Sequence, residues 1–162
     1  MTGDHMDSRD QKVRWHVSDG ANDWTARAVA AIAQSLQRDL SQDRDALLLL
    51  SGGNTPAPVY RALGDVDLDW RRVHIGLVDE RWATPGSAGN NARLIRDTLL
   101  AGRAADAGFA ALVDVMDDPA LAARRASDWL AALDLAPSAM VFGMGDDGHT
   151  ASLFPRAGGL EH

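Results

Sequence analysis

Three short stretches of this sequence carry residue types that chemistry uses: "SGGNTP" at residues 51–56, "DER" at 79–81 and "GMGDDGHTASLFP" at 143–155. In the first, Gly52 and Gly53 permit positive φ and close backbone approach. Successive N–H groups can then point into a concavity that suits a phosphate. Ser51, Gly52, Gly53, Asn54 and Thr55 are therefore the candidate phosphate-binding set, with hydroxyls from Ser51 and Thr55. The same stretch also reads as a tight turn into a helix, Thr55 serving as N-cap and Pro56 as the first helical residue. A helix N-terminus is itself an anion site, so both readings can hold together.

Asp79, Glu80 and Arg81 leave an extended segment, so Asp79 and Arg81 share one face and Glu80 points to the other. An acid and a guanidinium directed into one crevice would orient a sugar hydroxyl and stabilise developing negative charge, with Glu80 as a structural anchor. The alternative is a structural ion pair at a strand end. Trp82 reads as packing or pocket wall.

The third stretch admits three readings. Gly143, Gly145 and Gly148 satisfy the G-x-G-x-x-G spacing of dinucleotide-binding turns. That fingerprint also needs an acid about 20 residues further on, beyond the last residue given, and it sits on the first strand of its unit rather than a late one. A metal site could use Asp146, Asp147 and His149, but these are adjacent, no second histidine stands at i, i+4, and His74 lies inside a strand pattern. The remaining reading is a glycine turn that presents His149 at a strand end, where an imidazole can act as a general base near neutral pH. On that reading His149, Asp79 and Arg81 are the candidate catalytic residues, and Gly145, Asp147 and Gly148 join the candidate substrate-binding set.

The elements that must position these residues follow from hydrophobic periodicity. Residues 13–17 alternate like a strand, and residues 19–22 offer capping side chains to a helix running to about Leu40. Its apolar stripe is Trp24, Ala28, Ile32, Leu36 and Leu40, which places Trp24 in the core. "ALLLL" at 46–50 lacks alternation, as does a strand buried on both faces of a parallel sheet. A short helix at 58–63 precedes a second buried strand at 73–78. Asn90 or Asn91 can cap a helix through Leu100, residues 109–116 are ambiguous, and Pro119 opens a helix to about Leu133. A last strand covers 139–142. The pattern is an α/β fold round a mostly parallel sheet with helices on both faces. Each chemical stretch directly follows a strand, and parallel strands end on one edge, so all three should meet in one crevice.

Composition sets outer limits. The chain has 162 residues, net charge −7 and a single lysine, which argues against a nucleic-acid surface. With no cysteine, disulfides and thiolate metal sites are excluded. No segment reads as a membrane span or a secretory signal, so a cytoplasmic location is the default, and a monomer is expected. "GDHM" ahead of Asp7 and the terminal "LEH" look like cloning remnants, leaving residues 7–160 as one domain.

Taken together, "SGGNTP", "VDERW", the following "NN" and "GMGDDGHTASLFP" resemble the 6-phosphogluconolactonases of the oxidative pentose phosphate pathway. The resemblance covers residues 13–155 and implies a Rossmann-like sheet, no metal or redox cofactor, and hydrolysis of 6-phospho-D-glucono-1,5-lactone to 6-phosphogluconate. By similarity the loop at 51–56 would receive the phosphate, Asp79 and Arg81 would line sugar and lactone, and His149 would be the general base. Members of that family continue past "SLFP" with basic residues that resemble further phosphate ligands, so the C-terminal strands are expected to be missing from this chain. The related glucosamine-6-phosphate deaminases share the glycine loop and "DGH", and an inactive sugar-phosphate-binding fragment is the third alternative.

Overall fold

The computed structural model describes residues 15–84, 86–114 and 116–156. Four parallel strands form one sheet in the order β3-β2-β1-β4, with β1 Ala46–Leu50, β2 Val73–Leu77, β3 Gly108–Phe109 and β4 Ala139–Met140. The helices are α1 Ala21–Leu40, α2 Ala57–Gly64, α3 Asn91–Asp97 and α4 Pro119–Leu133. The α/β architecture with a parallel sheet is therefore as the pattern of apolar runs predicts.

Every residue of β1 is buried, which accounts for a run of leucines without alternation. Ala46, Leu48 and Leu50 pack with Val73, Ile75 and Leu77 of β2 against Ile32 and Leu36 of α1, Tyr60 and Leu63 of α2, and Ile95 of α3. On the other face, a Cβ placed at Gly76 would lie 3.0 Å from both Leu49 and Trp129, so α4 covers that side. From β1 the chain steps outward to β2 and β3, and α4 then carries it back to β4 on the far side of β1. Open α/β sheets bind ligands outside the carboxyl ends of their strands at such a reversal. The register Leu50↔Leu77 and the bond from Val141 N–H to the Leu49 carbonyl (2.9 Å) bring the ends of β2, β1 and β4 level.

Several local expectations are corrected. Val13 and Arg14 lie outside the described residues, while residues 15–17 form no strand, and Trp15 and Val17 are exposed. Gly20 is the N-cap of α1 and no side chain caps it; the Asp23 carboxylate instead accepts the Asp19 N–H (3.1 Å) and pairs with Arg27. Trp24 is 37% exposed rather than core. A 20-residue helix spans about 30 Å and a five-residue strand about 17 Å, so α1 is longer than the strands it covers, and its buried residues Ile32, Leu36 and Leu40 all lie in its second half. Pro56, not Thr55, caps α2, without a side-chain bond. Helix α3 ends at Asp97, and a separate 3-10 turn covers Leu99–Ala101. Among the described residues of the ambiguous segment at 109–116, Phe109 alone belongs to a strand, as the end of β3.

Tyr60 is fully buried and its hydroxyl donates to the Ser51 carbonyl (2.8 Å), tying α2 to the start of the loop after β1. Burial pushes its phenol pKa up to about 12. A raised folded pKa leaves stability intact below the ordinary value of about 10 and removes it as pH rises from there toward about 12. Since Tyr60 is the only tyrosine, ultraviolet titration reads this group alone. The expected result is phenolate appearing near pH 12 with concurrent unfolding; ionisation near pH 10 with the fold intact would contradict the packing.

Candidate active site

A cavity of about 200 Å³ opens where β1, β2 and β4 end. Ser51, Gly52, Gly53 and Thr55 reach it from the loop after β1, Asp79 and Arg81 from beyond β2, and Gly143, Gly145 and His149 from the turn after β4. The three chemical stretches therefore meet, as parallel strand ends require. Asn54 lines an adjoining cavity, and neither Asp147 nor Gly148 lines the first.

The loop and the end of β2 are held by Asn91, at the start of α3 and nearly buried. Its side-chain amide donates to the Asp79 carbonyl (3.0 Å) and stands so close to Gly52 that a Cβ there would fall 1.7 Å from its oxygen. Only glycine fits at that approach. The neighbouring Asn90 caps α3, accepting the Arg93 N–H at 2.9 Å.

Glu80 points away from the cavity and accepts the N–H groups of Arg81 (2.8 Å), Asn91 (2.8 Å) and Ala92 (2.9 Å). An anchor that satisfies orphan donors at a helix start stabilises both the helix and the approach to it. Glu80→Ala leaves three donors unmatched, and a loss of about 1–3 kcal/mol in unfolding free energy is expected by denaturant titration. An unchanged midpoint would show that the anchor is idle.

Asp79 bonds neither Arg81 nor His149. Its carboxylate accepts from Ser152 Oγ (2.9 Å) and, at 3.4 Å, from Asn91. It thereby joins the β2 end to the histidine turn. Arg81 presents its guanidinium without a carboxylate partner among the described residues. The Ser51 hydroxyl, on a residue 5% exposed, also has no partner among the described residues although it borders the cavity. A buried hydroxyl left unpaired costs free energy unless something occupies the space beside it.

His149 is held from three sides. Its Nδ1 lies 2.5 Å from Asp147 Oδ1, one ring face stacks on Phe154 (4.6 Å between centroids, 27°), and Gly145 lies close against the ring. The backbone makes this possible: Gly148 N–H donates to the Gly145 carbonyl, and Thr150 and Leu153 exchange two bonds that fold Phe154 back onto the imidazole. The hydrogen-bonded His149 side chain holds the Asp147 carboxyl below the usual carboxylate range. An ionised carboxylate only accepts, so Nδ1 carries the proton and Nε2 of the neutral ring is left with a free lone pair.

Among the described residues, no group of three or more His, Asp or Glu side chains is placed to hold a metal ion, and no helix is long and apolar enough to cross a membrane. Sequence reasoning places Asp147 with the substrate-facing residues and reads "TASLFP", with Ser152 and Phe154, as the start of the packing that holds the turn, without assigning either a contact. The Asp-x-His spacing is the available signal for the first, since i and i+2 side chains can share one side of a turn. Ser152 and Phe154 depend on the Thr150 to Leu153 reversal, which has no glycine or proline to announce it.

Residues 19–162 match the profile of the family described as glucosamine-6-phosphate isomerases/6-phosphogluconolactonase. A curated relative named 6-phosphogluconolactonase, from Pseudomonas aeruginosa, is 44% identical over 137 residues, which are 84% of this chain and 58% of the relative. One from Pseudomonas putida with the same name is 38% identical over 152 residues, 92% of this chain and 61% of the relative. The crystal structure of a 6-phosphogluconolactonase from Shewanella baltica superposes with a TM-score of 0.82 at 32% identity, covering 88% of this chain and 61% of that one. The chain thus spans about three fifths of the length of these relatives.

Proposed function

Because the chain belongs to the family of glucosamine-6-phosphate isomerases and 6-phosphogluconolactonases, we propose that its cavity is the hydrolytic site of a 6-phosphogluconolactonase. The observation that carries this reading is His149, clamped beside the cavity with Asp147 on Nδ1 and nothing on Nε2 among the described residues. Nε2 takes a proton from a water as the water oxygen attacks the C1 carbonyl of 6-phospho-D-glucono-1,5-lactone. A positioned base of this kind contributes about 10²–10⁴ in rate. Negative charge gathers on the former carbonyl oxygen, where the unpaired Arg81 guanidinium or an N–H of the glycine turn stabilises it. The bond from C1 to the ring oxygen then breaks, and the imidazolium returns its proton to that oxygen, giving the open-chain acid.

The loop at 51–56 receives the phosphate, with the Ser51 hydroxyl as a donor in want of a partner. Asp79, already engaged by Ser152 and Asn91, holds the Arg81 side of the cavity and the histidine turn together, and Asp147 orients the base rather than the substrate. Residues 7–160 act as one unit in the cytoplasm, as a monomer, on a small sugar phosphate, without metal or redox cofactor. The names of the relatives favour the lactone over an amino-sugar phosphate.

The test is consumption of freshly prepared 6-phosphogluconolactone by the purified protein, read as acid release against the spontaneous rate. Turnover above that rate supports the hydrolase; ammonia release from glucosamine 6-phosphate instead would transfer the site to the isomerase side of the family. Binding of 6-phosphogluconate without any turnover would leave only a sugar-phosphate-binding module.

A further inference from the structure

Beside the first cavity lies a larger one, of about 420 Å³, between α2 and α3. The two share Gly53, Arg81 and Asn91 as a common wall. Three arginines from three different elements reach the second cavity: Arg61 from α2, Arg81 from beyond β2 and Arg93 from α3. Among the described residues Asp97 is the one acid on its wall; it accepts from Arg93 Nε at 3.2 Å, while Arg93 Nη1 donates to the Gly86 carbonyl at 3.0 Å, which leaves Nη2 of that guanidinium for a ligand.

This convergence runs against the composition of the chain. Net charge is −7, and Arg27, Arg44, Arg71, Arg72, Arg103 and Arg125 each have a carboxylate partner. Among the described residues Arg61 and Arg81 have none, as is also true of Arg38, Arg96, Arg124 and Arg156, but Arg61 and Arg81 face the same space. Guanidinium forks arriving from separate directions match a tetrahedral oxyanion better than a planar carboxylate, which one or two forks saturate. Asn54, whose loop runs between the cavities, adds an uncharged polar side chain to this wall.

We propose that the cavity between α2 and α3 is an oxyanion site for a phosphate group, held by Arg61, Arg81 and Arg93 and separate from the space beside His149. The phosphate is either that of a free ion or ester or the far end of a sugar phosphate whose reacting end lies in the first cavity; in the second case the loop at 51–56 meets the phosphate through Gly53 and Asn54, on this wall, and the Ser51 hydroxyl faces the sugar instead. In both cases Arg81, common to both cavities, couples occupancy of one to the other. Asp97 limits the site by holding Arg93.

Calorimetric titration of the purified protein with inorganic phosphate at low ionic strength tests this. Arg61→Gln and Arg93→Gln are each expected to weaken binding about tenfold, because each removes one charge-assisted hydrogen-bonding fork from the anion. Asp97→Asn, which removes the carboxylate paired with Arg93 and leaves only its bond to the Gly86 carbonyl, is expected to strengthen it severalfold, a direction that no misfolded variant would imitate. His149→Ala is expected to leave it unchanged. Repeating the titration with saturating 6-phosphogluconate identifies the source: exclusion of phosphate assigns the site to the tail of the sugar phosphate, and undiminished binding assigns it to a second molecule. No phosphate binding by the unaltered protein, or binding by Arg61→Gln and Arg93→Gln as tight as that of the unaltered protein, overturns the proposal. The readout needs no turnover, so an inactive protein with arginine-dependent phosphate binding would remove the hydrolase reading and keep this site.

Discussion

His149→Ala is expected to bring lactone hydrolysis down by about 10²–10⁴, to the spontaneous rate or close to it, with the fold and 6-phosphogluconate binding retained. The expectation rests on where the imidazole stands rather than on its being a histidine. It borders the cavity, its Nδ1 is taken by Asp147, one face stacks on Phe154 and Gly145 lies close to the ring, so Nε2 is the ring nitrogen left to meet a ligand. A purely structural histidine held this way would, on truncation, leave a hole between a glycine and a phenylalanine that is itself 41% exposed, which costs little stability. Activity and stability should therefore separate: a large fall in kcat, a small change in melting temperature, and little change in product affinity, since the phosphate contacts lie on the other loop. Equal turnover by the variant and the parent protein would end the general-base assignment. Loss of activity together with loss of the fold would point to a structural role instead.

The sheet and the meeting of three loops were legible because strong signals define them. A run of four leucines after Ala46 has no exposed face to alternate toward, and Asn90 and Asp118 cap α3 and α4 through side chains that the sequence displays. Convergence at one edge then follows from parallel pairing alone. What escaped was set by tertiary geometry. Trp24 fits the apolar stripe of α1 and is still 37% exposed, because periodicity gives a face and not a depth. Thr55 has the chemistry of a cap, but Pro56 takes the capping position and Thr55 is left in the preceding turn. Asp79 and Arg81 share a face as alternation requires, yet Asp79 bonds Ser152, a residue 73 positions away that no local pattern connects to it. The contact of Asp147 with the imidazole was obscured by the composition of its own motif: two adjacent aspartates beside glycines suggest a ligand cradle and outweigh the Asp-x-His spacing, which points toward Nδ1, 2.5 Å away.

Gly145→Ala is expected to reduce turnover by about 10²-fold while the protein still folds, and it tests the same site without touching an ionisable group. A Cβ at this position would fall 2.1 Å from His149 Cε1, 2.2 Å from Nδ1 and 2.9 Å from Asp147 Oδ1. The imidazole cannot stay where it is. Phe154, stacked at 4.6 Å, closes one face to its retreat, and the bond to Asp147 must stretch or turn as the ring moves. A displacement of about 1 Å in a base is enough to cost two orders of magnitude. The backbone has no quarrel with alanine, because Gly145 is not among the glycines with positive φ, so destabilisation should stay small. Gly143→Ala supplies the matched control on the same turn: its Cβ would meet only Ser51 Oγ, at an ordinary 3.9 Å, and near-parental activity is expected. Measured side by side, kcat for the two alanines should differ by about the full 10²-fold while their melting temperatures do not. If both retain activity, the histidine is not held in its working position by the glycine turn; if both lose it equally, the turn tolerates no side chain at all and the clamp on His149 is not what the chemistry depends on.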